Sequence, residues 1–315
     1  MPMQLYKSRG FSEFFQDTFS FLKQNGKHFF KHYFIINGIF LLILLGIGYF
    51  FTKFYTEFIF GGILEGKSTT ILDSYINDNL GLFLIILFVF IIIALIAGII
   101  SYAYVPIYLK LYIEKEGTNF ETSDIINLYK TNTGKLITYS FCSILLGIPL
   151  IIVFMIGAII LMITIIGFLA LPLLIGALML FYSMTLMEYF ENKKSVWDCY
   201  AYSWKLLTSK FWAAIGSVGL FYLMSYIVQN VITLIPYIFG MASLFTTIDQ
   251  GESSQEEMGS TMMIIMLLVF FLSFLVSTIL GNIVQLNQGV VFYSLKEDNE
   301  NINTKSIIDQ IGSGE

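Results

Sequence analysis

The chain has 315 residues, of which 57% are hydrophobic and only 12% charged, with a formal net charge of −5. A soluble domain carries about 25% charged residues, so this composition excludes a water-soluble globule, a disordered chain and a disulfide-stapled scaffold. The acidic balance leaves no electrostatic footprint for nucleic acid; what remains is an all-α polytopic membrane protein.

A membrane helix needs about 20 apolar residues to cross about 30 Å of hydrocarbon. Residues 1–32 mix polar and aromatic side chains and show no cleavable leader, so the first apolar run, 33–52, reads as an uncleaved anchor and the first span. The second span is read at 80–109. Residues 136–187 carry no charge, and a run that long suits two helices joined by a turn near Thr164 and Gly167. The fifth span begins at Phe211 and is expected to end near Pro236 or Gly240, and the sixth is read at 261–285. The runs are continuously apolar rather than alternating, which excludes a β-barrel. With both termini placed in the cytoplasm, all but two of the 17 Lys and Arg fall on the cytoplasmic side. The outer loops then hold Lys53 and Lys67 against Glu57, Glu65, Asp73, Asp78, Asp249, Glu252, Glu256 and Glu257. The expected location is the inner membrane of a bacterium.

Three segments are amphipathic and too polar to span. In residues 11–23, Phe11, Phe14, Phe15, Phe19 and Leu22 share one helical face, opposite Glu13, Gln16, Asp17, Ser20 and Lys23. In residues 195–210, Trp197, Tyr200, Ala201, Trp204 and Leu207 form a stripe; residues 120–130 are a shorter version. Such helices are expected to lie in the interface plane, with Trp197, Trp204, Trp212, Phe15 and Phe19 as anchors. Each is followed by a polar turn and a span, the turns being Asn25-Gly26-Lys27, Thr133-Gly134-Lys135 and Thr208-Ser209-Lys210. The chain therefore reads as one membrane domain, 1–315, of three parallel repeats at 11–110, 120–190 and 195–295, followed by a tail at 296–315. Within that tail, residues 305–311 echo residues 123–128.

In the third repeat, Asp198, Cys199, Ser203, Trp204, Lys205 and Leu206, followed by Phe211 and Trp212, form a recognisable pattern. It resembles the membrane domain attached to some bacterial glycerophosphoryl diester phosphodiesterases and related six-span families, with Cys199 where an alanine is usual. The resemblance covers about 15 residues and implies a fold rather than an activity. No segment outside the spans is long enough to form that enzyme's soluble catalytic domain, so no catalytic residue is carried over.

The span interiors lack Asp, Glu, Lys, Arg and His, which argues against a proton relay, a charged ion site or an intramembrane enzyme. His28 and His32 stand four apart, with no acid between them and no third ligand nearby in sequence, so neither a metal nor any other cofactor is expected. Cys142 and Cys199 have no metal or disulfide spacing. The richest polar pattern lies in span six. Ser273, Ser277, Gly281, Gln285 and Gly289 recur every four residues, and Asn282, Gln285 and Gln288 every three. This is the spacing of a helix-packing seam, or of a polar ligand pocket to which Asn37 contributes. Pro106, Pro149, Pro172 and Pro236 are expected to kink or end helices. The resulting expectation is a non-enzymatic accessory of envelope or membrane homeostasis. Its partners would be membrane lipids and proteins at the cytoplasmic face. The competing class is a translocator of a neutral or lipid-like substrate.

Overall fold

The computed structural model describes residues 2–56, 68–191, 194–249 and 255–303. The echo at 305–311 and the outer-loop residues Glu57, Glu65 and Glu252 lie outside them. The described residues form eight α-helices and no strand: α1 (Phe11–Thr56), α2 (Ser68–Glu114), α3 (Thr122–Thr131), α4 (Thr133–Met162), α5 (Ile165–Phe190), α6 (Val196–Ser209), α7 (Phe211–Asp249) and α8 (Gln255–Glu300). Six of them, α1, α2, α4, α5, α7 and α8, are long and apolar enough to cross a membrane. The chain is an all-α, multi-pass membrane protein.

Helix ends follow local chemistry. The reversal between α4 and α5 falls at Thr164, whose side chain accepts a hydrogen bond from the Gly167 amide at 2.9 Å. Ser195 caps α6 in the same way through the Asp198 amide. The four prolines lie inside α2, α4, α5 and α7, and none of them ends its helix. Hydrocarbon offers the freed carbonyls no competing water, so the helical path persists. α7 accordingly continues past Pro236 and Gly240 to Asp249.

The largest departure from the sequence reading is α1. No turn occurs at Asn25-Gly26-Lys27; the amphipathic segment and the first span are one helix of 46 residues, about 69 Å long at 1.5 Å per residue. Gly26 costs a helix roughly 1 kcal/mol. Phe21 and Phe29 flank it, both fully buried, and each stabilises the helix by about 1.5–3 kcal/mol. Their rings meet Tyr112 and Tyr108 of α2 at 5.0 and 4.9 Å. Tertiary burial overrides the local preference for a turn.

The helices contribute to two compact units, one comprising Met1–Ile36, Ser101–Ser225 and Leu280–Glu315, the other Asn37–Ile100 and Tyr226–Ile279. In the first unit, α8 is the axis: residues 284–297 are buried without interruption. Residues 103–109 of α2 and 183–188 of α5 are likewise buried throughout. Glycine permits the closest approach: a Cβ on Gly176 of α5 would stand 3.0 Å from the Gly219 amide nitrogen of α7. In the second unit, the Phe270 ring covers Gly48 and Ile265 covers Gly240. Its outer faces are apolar, with Leu42, Phe88, Val231 and Ile264 all exposed.

The amphipathic faces are rotated from their expected positions. On α1 the inward row is Phe14, Thr18 and Phe21, whereas Phe11 and Phe19 are exposed. On α6 the buried face is Val196, Cys199, Tyr200, Ser203, Leu206 and Leu207, so the Trp stripe divides, with Tyr200 and Leu207 inside and Trp197 and Trp204 outside.

Candidate functional site: a buried polar core

The polar groups of the first unit converge on the lower half of α8. Asn287 is fully buried. Its Nδ2 donates to Thr18 Oγ1 of α1 at 3.0 Å and to Ser217 Oγ of α7 at 3.1 Å. Gln285 Nε2 donates to the Tyr102 carbonyl of α2 at 2.5 Å. Gln288 is buried and hydrogen-bonds the Tyr222 side chain of α7. Asn282 is buried too. Ser277 and Gly281, on the four-residue row, are exposed. Asn37 is buried within the second unit. The sequence patterns thus place three amides in the interior but pass over Asn287, which joins three helices.

Just over two turns further along α8 lies a cluster of charges. Lys296, whose side chain is wholly buried, donates to Glu188 Oε2 and Glu191 Oε2, both at 2.5 Å. Lys194 reaches the other oxygen of Glu188 at 2.8 Å and sits 3.3 Å over the Tyr202 ring. Tyr6 donates to Glu191 at 3.2 Å, and Tyr202 to Glu300 at 2.5 Å. The last carbonyls of α5 are also capped by cations: Lys135 donates to Tyr189 O at 2.6 Å and Lys110 to Phe190 O at 2.7 Å. Cations at a helix C-terminus oppose its partial negative charge. Burial, reinforced by Glu191, pushes the Tyr6 phenol well above its ordinary range. Burial and the Glu300 carboxylate do the same to Tyr202. Both phenols therefore keep their protons and serve as hydrogen-bond donors. A signal for this cluster was present in the sequence, since Glu188 and Lys296 are the first charges after two long uncharged runs.

Arg9 closes the N-terminal segment. Its fully buried side chain donates to Asp17 Oδ2 at 2.7 Å and to the Gln4, Leu5 and Lys7 carbonyls at 2.5, 2.6 and 2.9 Å. The two histidines serve a similar end. His28 Nδ1 lies 2.8 Å from the Tyr108 hydroxyl, and its Nε2 lies 3.1 Å from both the Phe120 carbonyl and His32 Nε2. His32 Nδ1 is 2.6 Å from Thr122 Oγ1. A carbonyl only accepts, so His28 is assigned its proton at Nε2 and takes the Tyr108 hydroxyl at Nδ1. His32 then carries its proton at Nδ1 and gives it to Thr122. One neutral arrangement satisfies every contact, and the pair bolts α1 to α2 and to the entry of α3. Among the described residues, no three His, Cys, Asp or Glu come together in a way that holds a metal ion.

Both cysteines are free and buried. Burial, with Glu188 nearby, pushes the Cys199 thiol up to about 11, so at pH 7.5 less than about one molecule in a thousand is the reactive thiolate. Native protein should therefore resist N-ethylmaleimide at both positions and label only on unfolding. Rapid labelling of Cys199 in the folded state would contradict this packing.

The aromatic anchors form a separate, outward set. Trp197, Trp204 and Trp212 are 50%, 60% and 79% exposed. Phe19 is exposed as well, and Phe15 is half-buried, with its ring 5.0 Å from that of Phe19 and 5.3 Å from that of Phe221. No family model, no curated protein and no solved structure matches this chain.

Proposed function

We propose that this protein is a non-enzymatic accessory of a bacterial cytoplasmic membrane, with both termini in the cytoplasm. It acts in envelope or membrane homeostasis as a fixed helical body that touches lipid headgroups and partner proteins through its aromatic rim. The exposure of Trp197, Trp204 and Trp212 beside a buried polar core carries this reading. The core's cations and carboxylates are engaged with one another, with tyrosines and with helix ends. Tryptophan is at its most favourable where one edge is apolar and the other wet. The lysine bias and the resemblance of residues 198–212 to a bacterial membrane domain support the location.

These three are the only tryptophans in the chain, so their fluorescence isolates the rim. In proteoliposomes, lipids brominated near the glycerol end of the acyl chain should quench the emission strongly, and aqueous acrylamide weakly. Emission quenched by acrylamide and untouched by brominated lipid would place the rim in water and overturn the reading.

A further inference from the structure

The outward face of α1 carries Lys23, Lys27 and Lys31, all exposed. Residues four apart stack on one helix face, so the three form a ladder about 12 Å long at 1.5 Å per residue. No carboxylate among the described residues lies within ion-pair reach of any of them. Several other cations of the same unit are committed: Lys7 and Arg9 to Asp17, Lys110 to Glu114, Lys194 and Lys296 to Glu188, and Lys210 to Asp298; Lys115, Lys130 and Lys205 are exposed without an ion pair but do not share one helix face. Lys31 acts electrostatically on His28 and His32, and the carboxylate that His32 also feels, Glu121, makes no ion pair with the ladder. Directly above the ladder the helix surface turns apolar, with Phe34 37% and Ile35 55% exposed. Three ammonium groups without an ion-pair partner thus form a row whose last member, Lys31, lies within one turn of surface suited to hydrocarbon.

We propose that this ladder docks the phosphate-bearing headgroups of anionic phospholipids in the leaflet that α1 enters. The inference rests on the membrane reading above, which makes Phe34 and Ile35 lipid-facing, and adds a headgroup class to it. Lysine stems run along apolar surface while their ammonium groups reach toward phosphate. Lysines near an anionic surface are drawn to it, an attraction confined to about a Debye length.

The test uses the full-length protein in nanodiscs and measures two quantities, the lipid retained through purification and the thermal midpoint. With mixed phosphatidylglycerol and phosphatidylcholine, the native chain should retain the anionic lipid with a preference of roughly tenfold and gain thermal stability from it. K23Q/K27Q/K31Q should lose both. K115Q/K130Q/K205Q, the same charge change at exposed lysines elsewhere, should keep both. Equal retention of the two lipids by the native chain overturns the proposal, as does loss of preference in both triple variants. Competition by free inorganic phosphate at matched concentration overturns it in favour of a soluble-anion site. Tryptophan quenching by brominated lipid is measured on the same samples. If it persists while the preference is missing, the ladder proposal alone has failed; if it too is missing, the membrane-rim reading has failed.

Discussion

Lys296→Met should be among the most damaging single substitutions, lowering stability in detergent by about 3–5 kcal/mol, the range for stripping one partner from a buried ion pair. The side chain is fully buried and is shared by Glu188 and Glu191. Its removal leaves Glu188 with Lys194 and takes the buried cation away from Glu191. Removing the stranded charges should restore much of the loss, so K296M/E188Q/E191Q should be more stable than K296M. Isosteric apolar or neutral replacements of a whole buried cluster are often tolerated. Denaturation midpoints across this series give the coupling energies directly. A K296M protein as stable as the native one would show that the cluster is not closed as described.

Asn287→Asp comes next. The amide nitrogen of Asn287 supplies Thr18 and Ser217, while the Thr18 hydroxyl has already given its proton to the Phe14 carbonyl at 2.7 Å. A carboxylate oxygen in the place of that nitrogen would face the Thr18 oxygen, whose proton is committed, with the Ser217 hydroxyl left to donate at 3.3 Å, and a buried anion so poorly paired costs several kcal/mol. Abundance in the membrane and the thermal midpoint should both fall sharply. Ser217→Ala, which removes one partner and introduces no charge, should cost about 1 kcal/mol. Equal effects of the two substitutions would remove Asn287 from the junction of α1, α7 and α8.

The spans were legible because crossing hydrocarbon imposes a long uncharged run, and because the one run too long for a single helix contains its own cap at Thr164. The continuity of α1 was hidden. Asn-Gly-Lys is a turn signal in isolation, and only the distant rings of Tyr108 and Tyr112 override it. Asn287 was hidden for a different reason. Periodicity finds a buried face only where the opposite face meets solvent or lipid, and residues 284–297 are enclosed on all sides. Three- and four-residue rows therefore selected Gln285 and Gln288, which are inside, together with Ser277 and Gly281, which are exposed. The rotation of α6 has a related origin. Trp197 and Trp204 weigh most in any apolar stripe, yet the smaller Cys199 and Ser203 are the residues that fit against neighbouring helices.

The segment from Tyr6 to Thr18 is held by α8. Tyr6 packs edge-on against Tyr293 at 5.1 Å, Asn287 bonds Thr18, and Asp298 pairs with Lys210, whose ammonium also lies 3.3 Å from the Arg9 carbonyl. These partners of Tyr6 and Thr18 are synthesised nearly three hundred residues later. Non-local closure of this kind is slow and leaves apolar and polar surfaces open meanwhile. The contacts of this unit are complete only once α8 has packed, and nascent chains stalled before it should be the forms that quality-control proteases clear.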